Sequence, residues 1–370
     1  SVSVVFSIIG IPAYAGEAEA DPFGKYEETL DVHFVRATDD TIETYALGNL
    51  PGQTLEDNFW LDTYRDELGI NVVYDWIVKG DDEYSQKINI TIATGELPDI
   101  MSVTATQMVQ LAEADLIADI SDVYEAYAAD FTKETLTQEG DDPFLAASID
   151  GKMYGLPVTG GSVDSVDLMW IRQDWLDNLG LEVPRTWDEM AAVAEAFVTQ
   201  DPDGNGEADT IGILGPSNSD HMNAIGANQF GLDPLFSSFQ SYPQYWLQDE
   251  DGTVEYGSIQ PETREALEKI SKLYTNKLID PEMLVRSDSK EPLLSGKVGI
   301  FFGPWWSGYT VSDTTLAGEA DWRAYFTPLS EDGNYYAHMP NPTSKYVVAS
   351  KSCKNPEAAF KIVNYLIKNE

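Results

Sequence analysis

The sequence predicts an α/β protein built as two lobes, and three observations lead there. First, 370 residues with 43% hydrophobic and 11% aromatic side chains exceed one ordinary core and suffice for two. Second, strand-period and helix-period segments alternate from residue 30 to 103, as in a mostly parallel sheet with helices on its faces. Third, the pattern breaks at Gly151-Lys152-Met153-Tyr154-Gly155-Leu156-Pro157 and again at Gly303-Pro304-Trp305-Trp306, which read as two crossings between lobes. Lobe I is thus expected over 29–152 plus 303–342, and lobe II over 156–300 plus 344–370.

Ahead of the first lobe, VSVVFSIIGIP and then Ala13-Tyr14-Ala15-Gly16 form a short apolar run with a small-x-small site. That is the end of a secretory signal peptide, so residues 1–15 are expected to be a signal remnant cleaved after Ala15, and the protein to be exported. The run is too short to span a bilayer. An acidic linker, 16–28, follows.

Leu30, Val32 and Phe34 then alternate with polar residues as in a half-buried strand. Leu55, Phe59, Trp60, Tyr64 and Leu68 recur at helical spacing and stop at Gly69; residues 70–77 read as a strand, 84–93 as a helix ending at Thr94-Gly95, and 99–103 as a strand. Past the first break, 166–171 reads as a strand. Thr186 with Glu189 forms a capping box that opens a helix, with Trp187, Met190, Ala194 and Phe197 on one face. Helices are expected over 261–274 and 356–367, and strands over 297–302 and 346–350.

A formal charge of -41 argues against nucleic acid or an anionic membrane as partner, since each phosphate contact would form in a repulsive field. The single cysteine, Cys353, excludes an internal disulfide and any CxxC metal site; it precedes a helix, yet no histidine is near it in sequence, so an inert thiol is expected. His33, His221 and His338 fall in no HExxH or HRD pattern, and no GxSxG elbow, GxxxxGK[ST] loop or GxGxxG turn is present. A carboxylate pair for glycoside hydrolysis is compatible with 63 acids and carries little signal.

The stretch Asp201-Pro202-Asp203-Gly204-Asn205-Gly206-Glu207-Ala208-Asp209-Thr210 has the spacing of a calcium loop. Calcium takes six to eight hard oxygen ligands, and Asp201, Asp203, Asn205, the Glu207 carbonyl and Asp209 stand at positions 1, 3, 5, 7 and 9, with Gly206 at the sixth. Position 12 is Gly212 and not the usual glutamate, so water or a remote carboxylate would complete the shell. The plain alternative is a solvated acidic turn. Aromatics point to a ligand: Trp170, Trp246, Trp305, Trp306, Tyr154 and Tyr309 fall near strand ends or the expected crossings, and a sugar's C–H face lies well on an indole. Trp175 and Trp187 sit at helix positions that assign them to the core.

Several strings carry a resemblance. Trp170-Ile171-Arg172-Gln173-Asp174-Trp175-Leu176-Asp177-Asn178-Leu179-Gly180-Leu181, then Pro184 to Glu189, with Ala93 to Asp99, Gly151 to Pro157, Gly296-Lys297-Val298-Gly299, Gly303-Pro304-Trp305 and Asn355-Pro356-Glu357-Ala358-Ala359, stand in one order from about Asp31 onward. In that order they resemble the extracellular solute-binding proteins of bacterial carbohydrate ABC importers, and within them the large Gram-positive lipoprotein branch. The resemblance implies a periplasmic-binding-protein-like fold with hinge strands and a ligand cleft between lobes. It also implies a non-catalytic monomer that presents an oligosaccharide to a membrane permease from the outer face of the cell, with calcium as a structural cofactor. Branch members carry a lipid-bearing cysteine after the signal, which this sequence lacks, and they continue past the helix ending at Glu370, so lobe II is expected to extend further. The rival readings are a secreted glycoside hydrolase or polysaccharide lyase, and a calcium-dependent surface interaction protein.

Overall fold

Strand β1 (Leu30–Thr38) starts where the Leu30, Val32, Phe34 alternation starts, and pairs in parallel with β2 (Ile70–Lys79) along its whole length. The computed structural model describes residues 20–138, 140–160, 162–217, 229–249, 251–339 and 341–369; the signal-like segment 1–15 and His221 lie outside the described residues. Between β1 and β2, helix α1 (Phe59–Thr63) is capped by the Asn58 side chain, which accepts from the Trp60 and Leu61 N–H groups; a wider turn, Tyr64–Leu68, carries it to the left-handed Gly69. Helix α2 (Asp81–Thr94) leads to β3 (Ile100–Val103), and α3 (Ala105–Glu113) follows behind a Thr104–Gln107 capping box.

Two strands complete this sheet: β4 (Leu156–Thr159) and, from the far end of the chain, β11 (Thr343–Ala349), in the order β2-β1-β3-β11-β4. β11 runs antiparallel to both neighbours, with Tyr346 opposite Val103 and Ala349 opposite Ile100. One face of the sheet packs Val32, Ile70 and Ile100 with Leu68 and with Phe360 of helix α9 (Glu357–Asn369); the other packs Val35, Met101 and Val348 against Ile88 and Met108.

The described residues up to Gly160 and from Pro342 onward form one compact unit, and those between them a second. This corrects the expected lobes in two places. β11 and α9 belong with the first unit because β11 hydrogen-bonds between β3 and β4, a pairing no local pattern discloses. Residues 303–341 stay in the second unit because β10 (Trp322–Tyr325) pairs there; the chain crosses at 160–161 and 341–342, not at 303–306.

The second unit is built on β5 (Leu168–Arg172), β6 (Ile211–Ile213), β9 (Val298–Gly303) and β10, in the order β10-β5-β9-β6. β9 is buried along its length, antiparallel to β5 and parallel to β6. Its longer helices are α4 (Gln173–Leu179), α5 (Trp187–Thr199), α6 (Asp233–Ser238), α7 (Pro261–Thr275) and α8 (Ser307–Leu316). The expected box opens α5: Thr186 Oγ1 accepts from Glu189 N at 3.2 Å. Trp175 and Trp187 are core residues as expected, Trp175 meeting Phe197 edge-on at 5.2 Å. A small antiparallel hairpin, β7 (Trp246–Gln248) and β8 (Val254–Tyr256), lies apart from the main sheet. Among the described residues no helix is long and apolar enough to cross a membrane.

Candidate functional site

β9 and β5 pair so that Gly303 lies opposite Leu168; one edge of the second unit's sheet therefore collects the end of β9, the start of β5 and the end of β10. Pro304 bends the chain there, and α8 starts within four residues. Trp170 fixes this turn from beneath. Its indole N–H donates to the Gly303 carbonyl at 3.1 Å, its ring stacks on Phe301 at 5.9 Å, and a Cβ at Gly308 would stand 3.1 Å from its Cη2. With the first turn of α8 seated on that ring, Trp305 (52% exposed) and Tyr309 (72%) are turned outward, four residues apart, with ring centroids 6.0 Å apart at 65°.

Of the aromatic candidates, Trp305 and Tyr309 are thus brought together. Trp306, partly buried, begins the helix beside them. Trp170 is 8% exposed and packs in the core, so it supports the site without facing it. In an extended segment adjacent Trp305 and Trp306 would point to opposite sides, leaving one of them to face a ligand; here the segment is a helical turn and not a strand, so that rule does not choose between them. Trp246 stands elsewhere, on the β7–β8 hairpin, 71% exposed with its ring 5.2 Å from Tyr256. Tyr154 belongs to the first unit, half-buried against the core around Met108.

The same sheet edge carries a group that the sequence reading missed. Asp167, just before β5, has a buried Oδ1 with no hydrogen-bond partner among the described residues. Asp233, at the start of α6, faces His338 at 3.3 Å, and both side chains are almost wholly buried. Burial, and then the neighbouring Asp233, hold the Asp167 carboxyl well above the usual carboxylate range. No local signal links positions 167, 233 and 338; only the fold does.

In the second unit the loop 201–210 is pinned at both ends, Asn178 Nδ2 donating to Pro202 O at 3.1 Å and Thr210 Oγ1 to Phe197 O at 2.6 Å. Gly204 and Gly206 take left-handed backbone at φ 70° and 83°, the sharp turn a calcium loop requires. Asp201 accepts from Asn205 N and Gly206 N, while the Asn205 amide donates to Asp203 at 2.9 Å and to Asp209 at 3.2 Å. Glu207 N donates to Asn205 Oδ1 at 2.6 Å. Burial, and then the nearness of Asp201, raise the Asp203 pKa; the Lys297 ammonium, 2.9 Å from Asp209, lowers that of Asp209. The oxygens converge on the Asn205 amide, and among the described residues no three acidic, histidine or cysteine side chains are grouped as a metal centre. The donor chemistry and turn fit calcium. The placement of the carboxylates does not by itself enclose an ion.

Burial pushes the Cys353 thiol up to about 11, outweighing the lowering by the Asn355 N–H, which is in keeping with the inert thiol expected.

The family described as bacterial extracellular solute-binding protein matches this chain over residues 51–370. The fructooligosaccharide ABC transporter substrate-binding protein FusA of Streptococcus pneumoniae serotype 4 is 29% identical over 258 residues, 65% of this chain and 45% of FusA. Lipoprotein LipO of Bacillus subtilis is 28% identical over 265 residues, 70% of this chain and 49% of LipO. The chain thus spans about half the length of these relatives. Among solved structures, S. pneumoniae FusA in complex with kestose superposes with a TM-score of 0.67 at 23% identity, covering 91% of this chain and 66% of FusA, which establishes a shared fold. FusA has also been solved as an EF-hand mutant in complex with fructo-nystose, with the same TM-score.

Proposed function

Since the chain belongs to the bacterial extracellular solute-binding proteins, we propose that it is exported and acts outside the cell as the substrate-binding component of an ABC importer. It captures an oligosaccharide as a monomer and hands it unchanged to a membrane permease. The relatives support the ligand class, FusA being a fructooligosaccharide-binding protein. The observation that carries the reading here is the outward Trp305–Tyr309 pair at the sheet edge. Two exposed rings at an angle offer an apolar face to a pyranose or furanose, whose burial recovers free energy that water otherwise claims. Holding Tyr309 on a helix seated against Trp170, and Trp305 on the turn that opens it, pre-organises the contact and reduces the entropy lost on binding.

Titration calorimetry with kestose and a panel of other oligosaccharides tests this. The Trp305→Ala and Tyr309→Ala variants should each bind more than tenfold more weakly, a loss of about 2 kcal/mol. Their melting temperatures should hold, because exposed rings contribute little to the core. Trp246→Ala should bind as wild type. If Trp305→Ala and Tyr309→Ala bind as tightly as wild type, the stacking assignment is wrong; cleavage of any sugar in the panel would favour the hydrolase or lyase reading.

The loop 201–210 is part of the proposal as a structural calcium site, supported by its spacing and glycine turn and by the EF-hand named for FusA. Asp201, Asp203, Asn205, the Glu207 carbonyl and Asp209 would hold the ion, whose charge would offset the carboxylates crowded there. An ion that binds only the folded state stabilises it by about 2.7 kcal/mol at a hundredfold excess over Kd. Chelation should therefore lower the melting temperature of the wild type and leave Asp203→Ala unmoved. Equal melting of the wild type with and without chelator would remove calcium from the account.

A further inference from the structure

Asp167 and His338 both lie close to where the chain enters and leaves the second unit, and the fold brings them to one buried point. Asp167, Asp233, Ser237, Thr327, Tyr335 and His338 are among the residues lining a cavity of about 10 Å3, room for one water. The returning segment is tied to α6 by Ser237 Oγ, which donates to the Tyr336 carbonyl at 3.2 Å, and by the Asp233–His338 contact. The Tyr242 and Tyr245 rings hold the imidazole at 5.3 and 5.1 Å. Facing Asp167 are Asp233 from α6 and Tyr335 from the returning segment; facing Asp233 are His338, Tyr242 and Tyr245. Among the described residues no lysine or arginine pairs with either carboxyl. A second buried negative charge at this point would have no cation to meet it.

We propose that Asp167, Asp233 and His338 form a proton-operated latch that fastens the segment around 335–338 to the sheet edge, closed while Asp167 carries a proton and released when that proton is lost. When the segment opens, Asp167 meets water and returns to its ordinary carboxylate value near 3.8. The raised value of the closed state means that the closed form keeps the proton and the open form sheds it. The latch is thus fully closed at pH below the ordinary value. Its opening constant rises about tenfold per pH unit from there until Asp167 ionises in place, and then levels off.

Amide hydrogen exchange of the whole protein at pH 5, 6 and 7, corrected for the intrinsic rate, reads this directly. Peptides covering 163–168 and 333–339 should lose protection as the pH rises, by up to about tenfold per pH unit, while a peptide within α5 holds steady. In Asp167→Asn, which keeps the shape and removes the titration, protection of the same peptides should not depend on pH. Flat protection in the wild type, or the same slope in Asp167→Asn, overturns the proposal, and a matching slope in α5 assigns the effect to global unfolding instead. None of these readings uses a sugar, so the result stands apart from that of the calorimetry.

Discussion

Gly299→Ala should destabilise the second unit by about 3 kcal/mol, the upper part of the range for forcing a methyl group into a packed core. A Cβ built at Gly299 lies 2.2 Å from Phe197 Cδ2 and 3.1 Å from Trp175. Both rings are fully buried and lock each other edge-to-face, so neither can swing aside. The strand would have to shift instead, breaking its register with β5 and β6 on either side. Chemical denaturation followed by tryptophan fluorescence measures the change, with Gly48→Ala as control, where the nearest atom to the added carbon is 3.7 Å away. Unchanged denaturation midpoints for both variants would show that this core yields where it is drawn as tight.

Asn364→Ala should weaken the first unit by about 3 kcal/mol, since it strands several buried polar groups at once. Asn364 is fully buried in α9; its Oδ1 accepts from Ala129 N at 3.1 Å and from Thr132 Oγ1 at 2.8 Å, and its Nδ2 donates to Pro22 O at 3.1 Å and Tyr127 O at 2.7 Å. One side chain therefore ties the last helix to two earlier stretches of the first unit. Amide exchange should accelerate at 128–136 and in α9 while the core of the second unit keeps its protection. Acceleration in the second unit alone would contradict the assignment of α9 to the first.

These two residues also mark what could be read in advance. Elements from 30 to 103 were legible because each declares its own period: Leu30, Val32 and Phe34 for a strand, the run from Tyr84 to Gly95 for a helix that α2 then bears out. The Thr186–Glu189 box was legible because capping is local chemistry. Strand partnership was not, since nothing in residues 343–349 says that they pair between β3 and β4, and local pattern alone assigns them and α9 to the other lobe. Gly303-Pro304 misled in a different way. A bend after a buried strand looks the same whether the chain leaves the unit or starts a helix, and the contact between Trp170 and Gly308 that decides it spans more than a hundred residues. The turn of the 201–210 loop was legible from its glycines, whereas the bonding of its carboxylates to Asn205 and Lys297 depends on side-chain placement.

The first unit is interrupted: its sheet lacks the strand between β3 and β4 until residues 343–349 exist, and the second unit is made in between. On a ribosome the order of completion is therefore inverted. The four described strands of the second unit's sheet have all been made once residue 341 has emerged, while the first waits with two unpaired strand edges. Those edges are templates for wrong pairing, and the contacts that cure them, such as Tyr346 with Val103, are of long sequence separation, a slow kind to form. For a chain exported as proposed, which has to stay threadable until it has crossed the membrane, a half that cannot close before residues 343–349 arrive delays premature collapse without a chaperone having to impose it.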